Sequence, residues 1–132
     1  MSFEAAPEYF FKDGKPHFLV SGEIHYFRLD PKLWEKHLRL LKQAGANTTS
    51  TYIPWDWHEY EDGKFDFTGK TNPARNIINY IQLCTKVGLD LIVKPGPYIL
   101  AEYEGEGLPG YPRRSVTPGV NPSAVISFQR RT

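Results

Sequence analysis

Gly45 and Gly88 each close a stretch with helical apolar spacing, and each is followed almost at once by an extended, strand-forming run. A glycine that ends a helix in the left-handed conformation and leads into a strand is the punctuation of a β/α unit. Used twice, it predicts strand, helix, strand, helix, strand in a parallel α/β sheet. Right-handed crossovers would then bring every strand C-terminus to one edge. The first strand is read in HFLVSGEIHYF (17–27), an apolar run passing into mixed residues, expected to be buried. Asp30 and Pro31 open the first helix, and Leu33, Trp34, Leu38 and Leu41 form its apolar stripe. A second strand runs from Asn47 to Pro54, and residues 55–72 read as a long polar and aromatic loop. A second Pro-started helix presents Ile77, Ile78, Ile81, Cys84 and Val87. The third strand, LDLIVKP (89–95), has the unbroken Leu-Ile-Val run of a strand covered on both faces.

Composition narrows the function classes. Of 132 residues, 40% are apolar, and 16 basic side chains nearly balance 15 acidic ones, which is ordinary globular chemistry. A net charge of +1 gives no electrostatic case for nucleic acid or a charged membrane. One cysteine excludes an internal disulfide framework and a zinc site of several thiolates. No apolar run approaches the roughly 18 residues of a membrane helix. Glu4 and Glu8 stand where a signal peptide would be basic and then apolar, so a soluble protein, cytoplasmic by default, is expected. The balance hides an asymmetry. Residues 1–106 carry a net charge of −3, whereas the acid-free remainder holds Arg113, Arg114, Arg130 and Arg131. Residues 111–132, rich in Pro, Gly, Ser and Thr, read as an irregular basic tail that need not be native to the domain in residues 1–110.

In parallel α/β folds, sites form at the strand C-termini. The first end offers Glu23, His25, Tyr26 and Arg28. The second offers Tyr52, Trp55, Asp56, Trp57, His58 and Glu59, and the third Tyr98, Glu102, Tyr103, Glu104 and Glu106. Carboxylates that accept from vicinal hydroxyls, with aromatic rings that cover a pyranose C–H face, suit a sugar. Hydrolysis would need two carboxylates about 5–5.5 Å apart for retention, wider for inversion. The competing reading packs Tyr52, Trp55 and Trp57 between sheet rim and helix, and leaves Glu104 and Glu106 in a solvated loop. Glu102, after an apolar run, is expected to turn inward. His58-Glu59 lacks the second histidine of a helical zinc site, and no metal or cofactor is implied. His25 is expected to hydrogen-bond a strand-end carboxylate, and His37 to be a partly exposed helix residue. Cys84 falls on an apolar helix face without a visible base, so a buried small hydrophobe is expected. Gly105, Gly107 and Gly110 are followed by no Lys-Ser/Thr and open no helix, so they form no phosphate cradle.

FKDGKPHFLVSGEIHYFR (11–28), ANTTSTYIPWDWHEYEDGKFDF (46–67) and VKPGPYILAEYEGEGLP (93–109), in that order, resemble the start of the glycoside hydrolase family 35 catalytic domain. The family is known chiefly for β-galactosidases. The resemblance implies a (β/α)8 TIM barrel, of which these residues would supply about three strands and two helices. It implies retaining hydrolysis of terminal β-galactosides, with Tyr52, Ala101 and Glu102 binding the galactose and no cofactor. Glu102 would then accept from a hydroxyl rather than donate the proton. The family's acid/base and nucleophile glutamates follow the fourth and seventh strands, and no position here matches either motif.

Thr49-Ser50 replaces a common Val-Glu, Asp56 takes a place often held by Asn, and Gly105-Glu106-Gly107 replaces a Phe-Gly-Gly pattern. After Pro109 the resemblance decays. Eight β/α units need at least about 200 residues, so the chain is read as the N-terminal part of a larger hydrolase, its tail explained by a frame change or misjoined end. Three other readings stay open. One is a catalytically inactive sugar-binding or assembly fragment. Another is a different barrel glycosidase that uses Glu23, Glu59 or Glu102 as a reacting carboxylate. The third is a half-barrel that self-associates.

Overall fold

The structure, a computed structural model, describes residues 2–109. The tail read at 111–132 lies outside them. Three short strands, β1 (Phe3–Ala5), β2 (Phe10–Lys12) and β3 (Lys15–His17), form an antiparallel meander. Asp13 (φ 49°) and Gly14 (φ 73°) join β2 to β3. This Asp-Gly pair is the preferred chemistry of a two-residue hairpin, a signal that the strand reading of residues 17–27 passed over. The meander is tied to the parallel sheet by Lys12, whose Nζ contacts both Asp90 carboxylate oxygens at 2.6 and 2.7 Å.

The parallel sheet has the order β4 (Ser21–Glu23), β5 (Thr48–Ile53) and β8 (Asp90–Pro95). Its register aligns Ser21 with Thr48 and Thr48 with Asp90. Helix α1 (Trp34–Gln43) connects β4 to β5. Asp30 Oδ1 accepts from Lys32 N–H at 2.9 Å, and Pro31 begins a 3-10 turn that leads into the helix. After β5 the expected loop is built rather than irregular. It holds a single turn α2 (Trp55–His58), a hairpin of β6 (Glu59–Glu61) and β7 (Lys64–Phe65), and a turn folded around Asp66. Helix α3 (Ile77–Val87) returns the chain to β8, with Asn76 capping its start and Gly88 in the left-handed conformation at its end. Lys42 Nζ donates to the Val87 and Gly88 carbonyls, placing a cation where the α3 dipole is negative.

The core is aromatic. Tyr26, Trp34 and Tyr80 are fully buried with Leu38. Trp34 meets Tyr26 and Tyr80 edge-on, at centroid distances of 6.0 and 5.6 Å. The inner face of α3 is Ile77, Tyr80, Cys84 and Val87, whereas Ile78 and Ile81 are exposed. Tyr80, overlooked in the apolar spacing, wins the inward position because its hydroxyl reaches the Ile24 carbonyl at 3.1 Å. The apolar run before β4 is also not a buried strand: Phe18 is 83% exposed, and only Ser21–Glu23 join the parallel sheet. Likewise Ile92 and Val93 are exposed, since β8 is an edge of the described sheet and pairs only with β5. The described residues are therefore an α/β unit with an open parallel sheet.

Asp66 organises the loop after β5. Its carboxylate accepts from Thr68 N–H and Oγ1, Gly69 N–H, and Thr71 N–H and Oγ1. Burial alone would raise its pKa, but hydrogen bonds from Thr71, Thr68 and Lys70 outweigh it and hold the carboxyl far below the usual range. A depressed folded pKa gives stability that is complete above the unfolded value of about 4 and is lost as pH falls below it. Asp66→Ala, which leaves these donors unpaired, is expected to cost about 2–3 kcal/mol near neutral pH. Asp66→Asn should flatten the acid limb of a plot of melting temperature against pH. An unchanged limb would place the acid sensitivity elsewhere.

Candidate functional site

The C-terminal ends of β4, β5 and β8 and the loops after them meet through a continuous set of polar and ring contacts. Lys94, near the end of β8, forms an ion pair with Glu23 at the end of β4. Its Nζ also lies 3.9 Å from the Tyr52 ring centroid. Burial would lower the Lys94 pKa, but the pairing with Glu23 outweighs it and the pKa is raised, so the ammonium is kept. Lys94 was absent from the sequence reading. The one signal for it is its polar character inside an otherwise apolar strand.

His25 stacks on Phe27 at a centroid distance of 5.2 Å and lies 5.7 Å from the Tyr52 ring. Its Nδ1 is buried without a hydrogen-bond partner, so the expected carboxylate bond is not made there. Burial lowers its pKa more than Glu23 raises it, which favours the neutral ring.

Arg28 reaches from the turn after β4 to the loop after β8, where Nη2 donates to the carbonyls of Ala101 and, at 3.1 Å, Glu102. Glu102 has a left-handed backbone (φ 47°), a conformation that costs a non-glycine residue about 1–2 kcal/mol. Its side chain is exposed rather than drawn inward, because Leu100 before it is exposed as well and Ala101 takes the buried place. Gly105 and Gly107 are buried at positive φ, and a Cβ on Gly107 would lie 3.0 Å from Ile99 Cγ1. The glycines thus let the loop fold back onto Ile99, whose N–H donates to the Glu106 carbonyl at 2.9 Å.

Asp56 joins the second end to this loop. Burial raises its pKa against the opposing influence of the neighbouring Tyr103 hydroxyl, and Asp56 Oδ1 is buried without a hydrogen-bond partner. Tyr103 is itself pushed up to about 12, chiefly by burial and next by Asp56. The Tyr103 ring meets Phe27 edge-on at 5.4 Å, closing the circuit to the first strand end.

Other candidates belong to the scaffold. Tyr26 Oη and His58 Nε2 are 2.5 Å apart and both residues are buried. His58 Nδ1–H donates to the Asp66 carbonyl at 2.6 Å, so Nε2 is the acceptor and Tyr26 the donor. Trp57 donates to the Ala74 carbonyl at 3.3 Å and lies under Arg75. Glu59 caps the β6–β7 turn by accepting from Gly63 N–H at 2.8 Å. Trp55, Tyr98 and Glu104 are exposed, and Glu106 is half-buried. His37 is half-buried and bonds the Leu33 carbonyl, the partly exposed helix residue that was expected. Cys84 is buried, and burial raises its thiol to about 11, which suits an inert core residue. Among the described residues no cluster of metal-ligating side chains occurs, and no helix is long and apolar enough to cross a membrane.

A rim of exposed carboxylates, a fixed ammonium, backbone groups and a tyrosine is chemistry for a neutral polyhydroxylated ligand. It recognises hydroxyls through both donors and acceptors. Residues 9–118 match the family described as glycosyl hydrolases family 35. Over 104 residues the chain is 69% identical to a β-1,2-glucosyltransferase of Ignavibacterium album. It is 47% identical over 93 residues to an exo-β-D-glucosaminidase of Pyrococcus horikoshii, and 43% over 102 residues to a β-galactosidase of Mus musculus. These alignments cover 79%, 70% and 77% of the chain but only 14%, 12% and 15% of the respective relatives. The chain thus spans about one-seventh of the length of the curated relatives it matches.

Proposed function

The chain belongs to glycosyl hydrolase family 35, and from that premise we propose that it forms the sugar-recognising side of a β-glycoside-processing (β/α)8 barrel. Tyr52, Ala101 and Glu102 bind the terminal sugar. Glu102 accepts from a hydroxyl, the Ala101 backbone contacts another, and Tyr52 acts through its hydroxyl because Lys94 covers its ring. The reacting glutamates of the family's retaining mechanism would follow a fourth and a seventh strand, so recognition is the role of the three strands here. The observation that carries this reading is the linkage of all three strand C-termini through Arg28 on the Ala101 and Glu102 carbonyls and Lys94 on Glu23 and Tyr52.

The leading activity is exo-hydrolysis of β-galactosides with retention. Transfer to another sugar is a second reading, favoured by the 69% identity to a β-1,2-glucosyltransferase. Both share a donor site, since a glycosyl-enzyme intermediate can pass its sugar to water or to a sugar hydroxyl. The test assays the natural full-length protein on p-nitrophenyl β-galactoside, β-glucoside and β-glucosaminide, with and without β-1,2-linked gluco-oligosaccharides. Galactose released with retained anomeric configuration is the expected result. Oligosaccharide products that outrun hydrolysis would move the assignment to transfer. No turnover on any of these, with sugar binding intact, would leave an inactive binding fragment and sink both catalytic readings.

A further inference from the structure

Consecutive carbonyls in an extended chain point to opposite sides. The Ala101 and Glu102 carbonyls instead converge on one guanidinium nitrogen, Arg28 Nη2, from a residue 73 positions earlier in the chain. Such convergence requires the residue between the two carbonyl groups to leave the extended region, and Glu102 does so at φ 47°. A non-glycine residue stays in that conformation only where its surroundings over-determine it. Arg28 supplies that constraint, since its guanidinium donates to both carbonyls at once and keeps its charge at any ordinary pH. Tyr103, the next residue, is anchored separately by its edge-on contact with the Phe27 ring.

We propose that Arg28 is a positioning residue: it clamps the Ala101–Glu102 peptide in its left-handed turn and thereby sets the direction in which Glu102 meets the sugar. The proposal rests on the sugar-binding reading of Ala101 and Glu102. Fixing both carbonyls fixes the peptide plane between them and hence the departure of the Glu102 side chain. Arg28 itself need touch no substrate.

The test compares wild type with Arg28→Ala, Arg28→Lys and Glu102→Gln in the natural full-length protein. Hydrogen exchange is followed for peptides covering residues 99–108, where the Ile99, Glu106 and Leu108 amides are hydrogen-bonded within the loop. Arg28→Ala should speed exchange there about 10-fold or more without changing α1 or β5, and added guanidinium, but not urea, should restore protection. Arg28→Lys, with a single-point ammonium, should fall between. On the best p-nitrophenyl glycoside, Arg28→Ala should lower kcat/KM about 10- to 30-fold. In the double variant with Glu102→Gln that loss should largely vanish, because there is no carboxylate left to aim.

Unchanged loop exchange in Arg28→Ala overturns the clamp. Faster exchange with unchanged kcat/KM, or losses that simply multiply in the double variant, overturns its role in aiming Glu102. Absence of both turnover and sugar binding by wild type on every glycoside, with the loop still loosened by Arg28→Ala, defeats the sugar reading and leaves the clamp standing. Exchange that rises across the whole chain in Arg28→Ala while Arg28→Lys behaves as wild type assigns Arg28 to general stability and overturns the proposal.

Discussion

Glu102→Gln is expected to lower kcat/KM for the terminal-sugar donor by roughly 100- to 1,000-fold while leaving the melting temperature unchanged. The side chain is exposed and makes no contact in the core, so its loss costs the fold little. In the proposed site it is a charged acceptor for sugar hydroxyls, and charge-assisted hydrogen bonds are worth about 1.5–3 kcal/mol each. Glutamine preserves the shape but removes the charge, and offers a donor where one acceptor stood. Glu102→Gly separates side chain from backbone. Glycine adopts φ 47° without penalty, so this variant should be as stable as wild type or more so, yet equally impaired. The measurement is steady-state kinetics alongside thermal melting. Turnover by Glu102→Gln within threefold of wild type would remove Glu102 from the site.

Trp34→Ala is expected to lower stability by about 4 kcal/mol, within the range for deleting a buried aromatic side chain. Trp34 is fully buried, touches Tyr26 and Tyr80 edge-on, and donates from Nε1 to the Tyr26 carbonyl at 3.0 Å. The alanine leaves a cavity beneath the turn after β4 and removes one of the two donors to that carbonyl, which keeps only Leu29 N–H. Trp34→Phe refills much of the volume without the donor, and should cost about 1–2 kcal/mol. Since the same turn carries Arg28, both variants should also reduce activity more than their stability loss accounts for. Urea or thermal unfolding decides it. A loss below about 1 kcal/mol for the alanine variant would mean that the cavity collapses and that Trp34 is not the core's keystone.

The order of elements was readable because its signals are local. Gly45 and Gly88 stop the helices, Asp30-Pro31 starts one, and the Thr and Tyr residues of Asn47–Pro54 favour a strand. Their effects act within a turn of chain and need no distant partner. Buried apolar positions were less readable. The apolar spacing made Ile81 a core residue and left out Tyr80. The inward face of α3 is chosen by what packs across from it, here Trp34 and Tyr26. The built loop after β5 escaped for a related reason. Its Asp62-Gly63 turn was a legible hairpin signal, but the Asp66 cage draws on a run of polar residues that resembles any solvated loop.

For the candidate site, the sequence by itself determined which residues arrive at the strand C-termini, since a parallel β/α order forces those ends to one edge. It also named Tyr52, Ala101 and Glu102 through the family resemblance. Tertiary structure alone decided how the ends are joined: Arg28 on the carbonyls of Ala101 and Glu102, Lys94 between Glu23 and Tyr52, and Asp56 under Tyr103. Arg28 and Lys94 could have lain in solvent as surface cations often do. They acquire partners only when folding removes water and brings carbonyls and carboxylates within hydrogen-bond reach across more than 70 residues of chain. That long-range geometry is not encoded in any local pattern.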